Sequence, residues 1–280
     1  MLAYRHAFHA GNHADVLKHT VLIQILAHLN AKETPYRVVD SHAGAGSYSL
    51  SSVAARKKGE HRQGVRAIWQ RADAPPAVAA YLAAVRSFNP DGVLRHYPGS
   101  PALARHLMRA QDDLRLFELH PTDHRLLQGE FGHARNTQVF QADGFAGLKG
   151  QLPPSSRRGL VLIDPAYEGV ADYGAVVLAA SEGLKRFAQG TFMVWYPKVH
   201  KPQSARLAQR LKAIAPKGWL HASLAVQKVD AQGFGLMGSG VFVFNPPHTL
   251  YERLHDALPW LCAALAQHEG ASQLLEQHRV

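Results

Sequence analysis

Apolar and polar positions fall into two distinct patterns along this chain. From Asn12, the stretch NHADVLKHTVLIQILAHLNAKE sets Leu17, Val21, Leu22, Ile25, Leu26 and Leu29 at helical intervals, which predicts an amphipathic α-helix. Asn12 suits its N-cap and Asp15 its first turn, and Thr34-Pro35 ends it. Four later segments share another grammar, an apolar run that closes in a polar or glycine-rich corner. They are YRVVDSHAGAG (36–46), LRLFELH (114–120), TQVFQADGF (137–145) and GLVLIDPAY (159–167). Short continuous runs of this kind predict strands buried on both faces. TFMVWYP (191–197) adds a fifth strand, while ASLAVQKV (222–229) and GSGVFVFNPP (238–247) lie close enough to pair antiparallel. With helical or loop-like stretches between the strands, the expectation is an α/β fold. Its sheet has seven strands, mainly parallel, and ends in an antiparallel hairpin. The polar tail after His268 reads as loose.

One interval breaks this rhythm. Between Gly46 and Glu118 the chain is far longer than a strand-helix-strand step requires. Its centre carries Arg56, Lys57, Lys58, Arg62, Arg66, Arg71 and Arg86 against Glu60, Asp73 and Asp91, with helical pieces around GVRAIWQRA and PAVAAYLAAVRSF. The expected organisation is a domain formed by 1–50 and 95–280, in which 1–35 are an amino-terminal motif and helix. An inserted basic helical subdomain, 51–94, either holds a charged substrate or merely packs on the core.

Composition narrows the function. A chain of 280 residues that is 46% hydrophobic can bury one large core. Its 31 Lys and Arg against 21 Asp and Glu leave a formal charge of +10, which favours a polyanionic partner, nucleic acid first. The single cysteine, Cys262 in WLCAAL, excludes an internal disulfide or a thiolate zinc cluster. The opening MLAYRHAFHAGNH lacks a signal-peptide pattern and no run reaches the length of a membrane span, so a cytoplasmic protein, a monomer by default, is expected.

In open α/β sheets ligands gather at the carboxyl ends of the strands, so the polar corners are where chemistry belongs. DSHAGAG offers Asp40 with Gly44 and Gly46, departs from G-x-G-x-x-G, and lacks a phosphate-loop Lys-Ser/Thr. Glu118 suits two ribose hydroxyls, and Asp143, beside Gly144, suits an adenine amine. Such a pocket, with no phosphate cradle, fits S-adenosylmethionine better than NAD or ATP. In the fourth corner, DPAYEG, Asp164 and the Pro165 carbonyl can hold an exocyclic amine, while Tyr167 stacks on a flipped base. Direct in-line methyl transfer from a sulfonium is then a positioning problem that needs no metal. A metal site among His6, His9, His13 and His19 fails on spacing, because His13 and His19 lie on different helix faces.

The blocks MLAYRHAFHAGNHADVLKH, DSHAGAGSY, YPGSP, ELHP, ADGF and RRGLVLIDPAYE, in this order, resemble the bacterial ribosomal RNA large subunit methyltransferase J family. The likeness runs from Met1 to about Pro259. It implies a Rossmann-like class I methyltransferase with a helical insertion, methylating N6 of one adenine in 23S ribosomal RNA. Carried over by position, it implies S-adenosylmethionine contacts at His19, His42, Ser100, Glu118, Asp143, Gly144 and Asp164, with Asp164 also the proton acceptor. Tyr4 and Lys18 would deal with the RNA. Ser100, ahead of Pro101, suits a helix cap beside the cofactor, and Lys18 can meet a phosphate or a carboxylate. Ala166 stands where the family usually has proline. The competing expectations are the same chemistry on DNA, or a non-catalytic nucleic-acid-binding protein on the same fold.

Overall fold

In the computed structural model, which describes residues 4–214, 218–228 and 235–279, the first helix spans His13–Asn30. Asn12 caps it as expected, its side chain accepting from Ala14 N and Asp15 N at 3.0 Å each. The helix is not amphipathic, however, for every residue from His13 to Leu26 is buried. Sheet strands pack on one side of it, and the helices Pro76–Arg86, Ser100–Leu107 and Leu250–His255 pack on the others. Asp15, Lys18 and His19 therefore have no solvent to face, and each needs a partner inside the protein.

The strands are β1 (Arg37–Asp40), β2 (Ser47–Ser49), β3 (His96–Pro98), β4 (Asp113–Phe117), β5 (Thr137–Phe140), β6 (Gly159–Ile163), β7 (Thr191–Lys198), β8 (Gly218–Ala225), β9 (Gly238–Phe244) and β10 (Ser272–Arg279). Eight of them form one sheet in the order β10-β8-β9-β7-β6-β1-β4-β5, and β2 pairs with β3 in a separate ribbon. Pairing is parallel from β5 through β7 and antiparallel among β7, β9, β8 and β10. This is the expected methyltransferase-type sheet with one strand more than the sequence indicated. The extra strand, β10, is the tail that read as loose. Its side chains stay largely exposed, so no apolar alternation announces it; ladder hydrogen bonds to β8 hold it instead. Glu276 fastens it further, 2.6 Å from Lys212 Nζ and 2.8 Å from His221 Nδ1. The strand expected at 222–229 begins earlier, at Gly218, and ends at Ala225; position 229 lies outside the described residues.

Within 51–94 the helices are Val53–Lys58, Val65–Ile68 and Pro76–Arg86. Their Val65, Ile68, Tyr81 and Val85 are fully buried and join the same apolar cluster as Leu17, Val38 and Leu114. At about 1.5–3 kcal/mol per buried aliphatic side chain, this segment is part of what holds the first helix in place. Among the described residues, no helix is long and apolar enough to cross a membrane.

From β1 the chain builds outward through β4 and β5, then returns to lay β6 and β7 on the other side. The seam between β1 and β6 is a topological switch point, and the polar corners after β1, β4, β5 and β6 converge over it.

Candidate active site

A cavity of about 640 Å³ opens over these carboxyl ends. Its walls include Tyr4, Lys18, His19, His42, Ser100, Glu118, Asp143, Gly144, Asp164, Pro165 and Tyr167; of the first corner's other residues Gly44 lines it, whereas Asp40 and Gly46 stand behind the wall. Backbone approach explains two glycines. A Cβ on Gly144 would stand 1.8 Å from Ser41 O, so only glycine lets the corner after β5 meet the corner after β1. Gly44 has φ +64° and donates its N–H to Glu118 Oε2 at 2.8 Å. His120 N donates to the other oxygen, Oε1, at 2.6 Å. Burial pushes the Glu118 pKa up, with these two donors opposing it. Each oxygen keeps a lone pair free for a further donor. Asp143 caps the helix Gly144–Gln151, accepting from Phe145 N at 2.9 Å.

Ser100 is not a helix cap. Gly99 occupies that position, Ser100 is the first helical residue, and its hydroxyl turns inward to donate to Asp40 Oδ2 at 2.6 Å. Asp40 also accepts from His42 N at 3.2 Å, and burial pushes its pKa up to about 6. The His42 and Phe145 rings meet edge to face with centroids 4.7 Å apart, and burial holds the imidazole neutral, its pKa down to about 4. His19 is fully buried on the first helix, with Nδ1 2.8 Å from Tyr97 Oη, itself 3.1 Å from Tyr81 Oη. Burial pushes His19 down to about 3, and its Nε2 has no hydrogen-bond partner among the described residues.

The corner after β6 meets the first helix. Lys18, expected to face a phosphate or carboxylate, lies between two carboxylates, 2.7 Å from Asp164 Oδ2 and 2.9 Å from Asp15 Oδ1. Asp15 Oδ2 in turn lies 2.8 Å from His6 Nε2 and accepts from Gly11 N at 2.8 Å. Burial alone would raise the Asp15 pKa, but His6 and Lys18 overcome it and hold the carboxyl well below its usual value. Asp15 carries no motif of its own; the one sequence signal is its place three residues before Lys18 in a mostly apolar helix. Tyr167 has φ +52° and only 4% of its surface exposed, with its hydroxyl donating to Trp195 O at 2.7 Å and its ring 4.7 Å from Tyr173. Tyr4 is more accessible, 37% exposed and stacked on His9 at 5.3 Å.

These features coincide with similarity to known proteins. The family model described as "Ribosomal RNA large subunit methyltransferase D, RlmJ" matches residues 33–276. The chain is 49% identical over 265 residues to "Ribosomal RNA large subunit methyltransferase J" of Escherichia coli (strain K12), covering 95% of this chain and 94% of that one. It is 44% identical over 277 residues to the protein of the same name from Haemophilus influenzae, covering 99% and 98%. The chain belongs to the ribosomal RNA large subunit methyltransferase J family. The family fold is equally clear in a crystal structure of protein LPL1258 from Legionella pneumophila, which superposes with a TM-score of 0.88 at 31% identity, covering 96% of this chain and 98% of that one.

Membership in a methyltransferase family raises the question of a methyl donor, and the cavity fits S-adenosylmethionine on its own observations. The unpartnered His19 Nε2 awaits a polar group. Charge agrees as well. In a chain of formal charge +10, the walls carry, among the described residues, Asp15, Glu60, Glu118, Asp123, Asp143, Asp164, Glu168 and Asp172 against Lys18, Lys58 and Lys201. An acid-rich interior favours a cationic sulfonium and ammonium, while the basic exterior favours a polyanion. Among the described residues, no group of three or more His, Cys, Asp or Glu is placed to hold a metal ion.

Proposed function

We propose that this chain transfers the methyl group of S-adenosylmethionine to the N6 amine of a specific adenine in 23S ribosomal RNA. Bound S-adenosylmethionine supplies an electrophilic methyl on a sulfonium. Glu118 takes the ribose hydroxyls and Asp143 the adenine amine of that cofactor, with His19, His42, Ser100 and Gly144 completing its bed. The flipped target base enters at 164–167. Lys18 holds Asp164 Oδ2, which leaves Oδ1 and the Pro165 carbonyl to accept the two N–H groups of the target amine. Held this way, the nitrogen lone pair leaves conjugation with the ring and aims at the methyl group. A carbon–nitrogen bond forms as the carbon–sulfur bond breaks, and the amine's surplus proton passes to Asp164. Tyr167 shapes the pocket wall and Tyr4 meets the RNA at the mouth. Lys18 acts through Asp164 rather than on a phosphate. Base extraction of this kind is usual for enzymes that modify bases.

The observation that carries this reading is the joining of Asp164 and Pro165 to the Glu118 and Asp143 corners in one cavity. Lys58 and Lys201 line it too, from segments far apart in sequence, and suit the phosphates on either side of the flipped base. The inserted segment 51–94, with Arg56, Lys57 and Arg62 exposed beside Lys58, would extend that grip.

Methyl incorporation decides the matter. Protein-free 23S RNA from cells lacking this protein should accept one methyl group, mapped to an adenine N6, and duplex DNA should accept none. Incorporation into DNA alone would favour the DNA enzyme. Absence of both cofactor binding and methyl transfer would leave a non-catalytic RNA-binding protein.

A further inference from the structure

We infer that Ser41 fixes the tautomer of His42, so that the ring presents an unprotonated Nε2 to the cavity as an acceptor for an N–H or O–H of the cofactor. The assignment begins with one hydroxyl and two neighbours. Ser41 Oγ lies 2.9 Å from Leu162 O and 2.8 Å from His42 Nδ1. A carbonyl oxygen has no hydrogen to give, so the contact with Leu162 exists only if the serine proton lies in it. Two oxygens at that separation with no proton between them would repel. Having one hydrogen, Ser41 Oγ can meet His42 Nδ1 only as an acceptor, and Nδ1 must carry the ring proton.

The rest of the geometry holds this arrangement in place. Ser41 N also donates to Leu162 O, at 3.0 Å, so the serine is pinned to β6 through backbone and side chain alike. Ser41 is 1% exposed, and its carbonyl sits under Gly144, which blocks any shift of the loop. The His42 ring is turned by its edge contact with Phe145, at 4.7 Å and 66°. Burial keeps the imidazole neutral, so a proton on Nδ1 leaves Nε2 bare. Among the described residues nothing bonds to Nε2.

The consequence is selectivity by hydrogen-bond polarity. His42 shares the cavity with Asp143 and Asp164, whose charges act on it, and both of these are acceptors as well. A third acceptor completes a region suited to an ammonium, an amine or a hydroxyl of the ligand. The opposite tautomer would place an N–H there and leave a ligand donor facing a donor. Ser41 touches neither ligand nor reacting atoms in this scheme and is a positioning residue. The ligand half of the inference rests on the S-adenosylmethionine reading above; the tautomer half does not.

Nitrogen-15 spectra of ring-labelled histidine, with the His42 signals assigned by their loss in His42→Asn, test the first half in ligand-free protein. Wild type should show a protonated Nδ1 and a bare Nε2, and Ser41→Ala should shift the population toward protonated Nε2. Titration calorimetry tests the second half: Ser41→Ala should bind S-adenosylmethionine about tenfold more weakly, the worth of one buried hydrogen bond. Protonated Nε2 in wild type overturns the inference, and that spectrum decides even if the alanine variant does not fold. An unchanged tautomer in folded Ser41→Ala also overturns it. Wild-type protein that shows the expected tautomer but binds no S-adenosylmethionine would instead defeat the cofactor reading.

Discussion

Lys18 Nζ sits 2.7 Å from Asp164 Oδ2, joining the first helix to a corner 146 residues away in sequence. Lys18 is 5% exposed. Burial opposes its charge, yet Asp15 and Asp164 outweigh burial and hold its pKa well above the usual lysine value. A single cation thus bridges two inward-facing carboxylates and orients the one that lines the proposed amine pocket.

Replacing Lys18 by methionine keeps the volume of the stem and removes the charge. Asp15 and Asp164 would then lose the cation between them, and breaking a buried pair in this way costs about 3–5 kcal/mol. Urea unfolding should show a loss of that order. Methyl transfer to 23S RNA should fall by about a hundredfold or more, with cofactor affinity changed far less, because the freed carboxylate no longer presents Oδ1 to the amine. A variant as stable and as active as wild type would remove Lys18 from the machinery.

The pH dependence of this cluster follows from its shifts. Asp15 has a folded pKa below its unfolded value of about 3.9, so its contribution is present above that pH and is lost as pH falls through the folded value. Lys18 has a folded pKa above its unfolded value of about 10.4, so its contribution is present below that pH and is lost as pH rises through the folded value. The stability gap between wild type and Lys18→Met should therefore be flat from about pH 5 to about pH 10 and shrink in acid. Paired urea titrations across that range would measure it.

Asp40 behaves in the opposite sense. Burial raises its pKa to about 6 against the Ser100 hydrogen bond, so its contribution is fully present below the unfolded value of about 3.9 and is lost as pH rises through about 6. At pH 8 the charged form costs about 3 kcal/mol. Asp40→Asn should therefore melt higher than wild type at pH 8 and no higher at pH 4. It should also bind the methyl donor less well, because Ser100 Oγ and His42 N lose the anion that orients them. Equal melting temperatures at pH 8 would show that the carboxylate is solvated better than its 1% exposure indicates.

Where the sequence was legible, one physical signal dominated. Strands buried on both faces need apolar runs, and β6, β7 and β9 are marked by theirs, β1 and β4 by shorter ones that Arg37 and Arg115 adjoin or interrupt; Gly44, Glu118, Gly144 and Asp164 follow because chemistry collects where such runs stop. β10 has no buried face to demand a pattern, since it is an edge strand held by backbone pairing and by Glu276. The first helix misled for a related reason. Its apolar spacing was correctly placed, but whether its other face meets water depends on the helix Pro76–Arg86, which arrives from the insertion and covers it. Ser100 was misjudged as a cap because a serine before a proline reads the same whether its hydroxyl turns back to the helix or in toward Asp40. Asp15 reads in the sequence only as a first-turn helix residue, because nothing local marks its contacts with Lys18 and His6.

At Ala166 the family resemblance implies a proline, and the structure sharpens what proline there should do. Residues 164–168 form no helix or strand, and among the described residues Ala166 N donates no hydrogen bond, so the missing N–H of proline would cost nothing. Ala166 is also not among the residues with positive φ, which leaves it open to the angle that proline fixes. The residue that does bear strain is its neighbour Tyr167, at φ +52°, in a region costly to a bulky side chain. Tyr167 is held there by its hydrogen bond to Trp195 O and by the packing of its ring on Tyr173, and neither anchor involves position 166. Ala166→Pro should therefore leave the corner intact and restrict the unfolded chain, raising stability by about 0.4–1 kcal/mol. Turnover on 23S RNA should be equal or higher, with unchanged affinity for the methyl donor, because the Asp164 carboxylate and the Pro165 carbonyl keep their places and are better preorganised. A sharp loss of turnover with the fold intact would mean that residue 166 takes a backbone path closed to proline, and that Asp164 and Pro165 are aimed by a different loop from the one the family's proline supports.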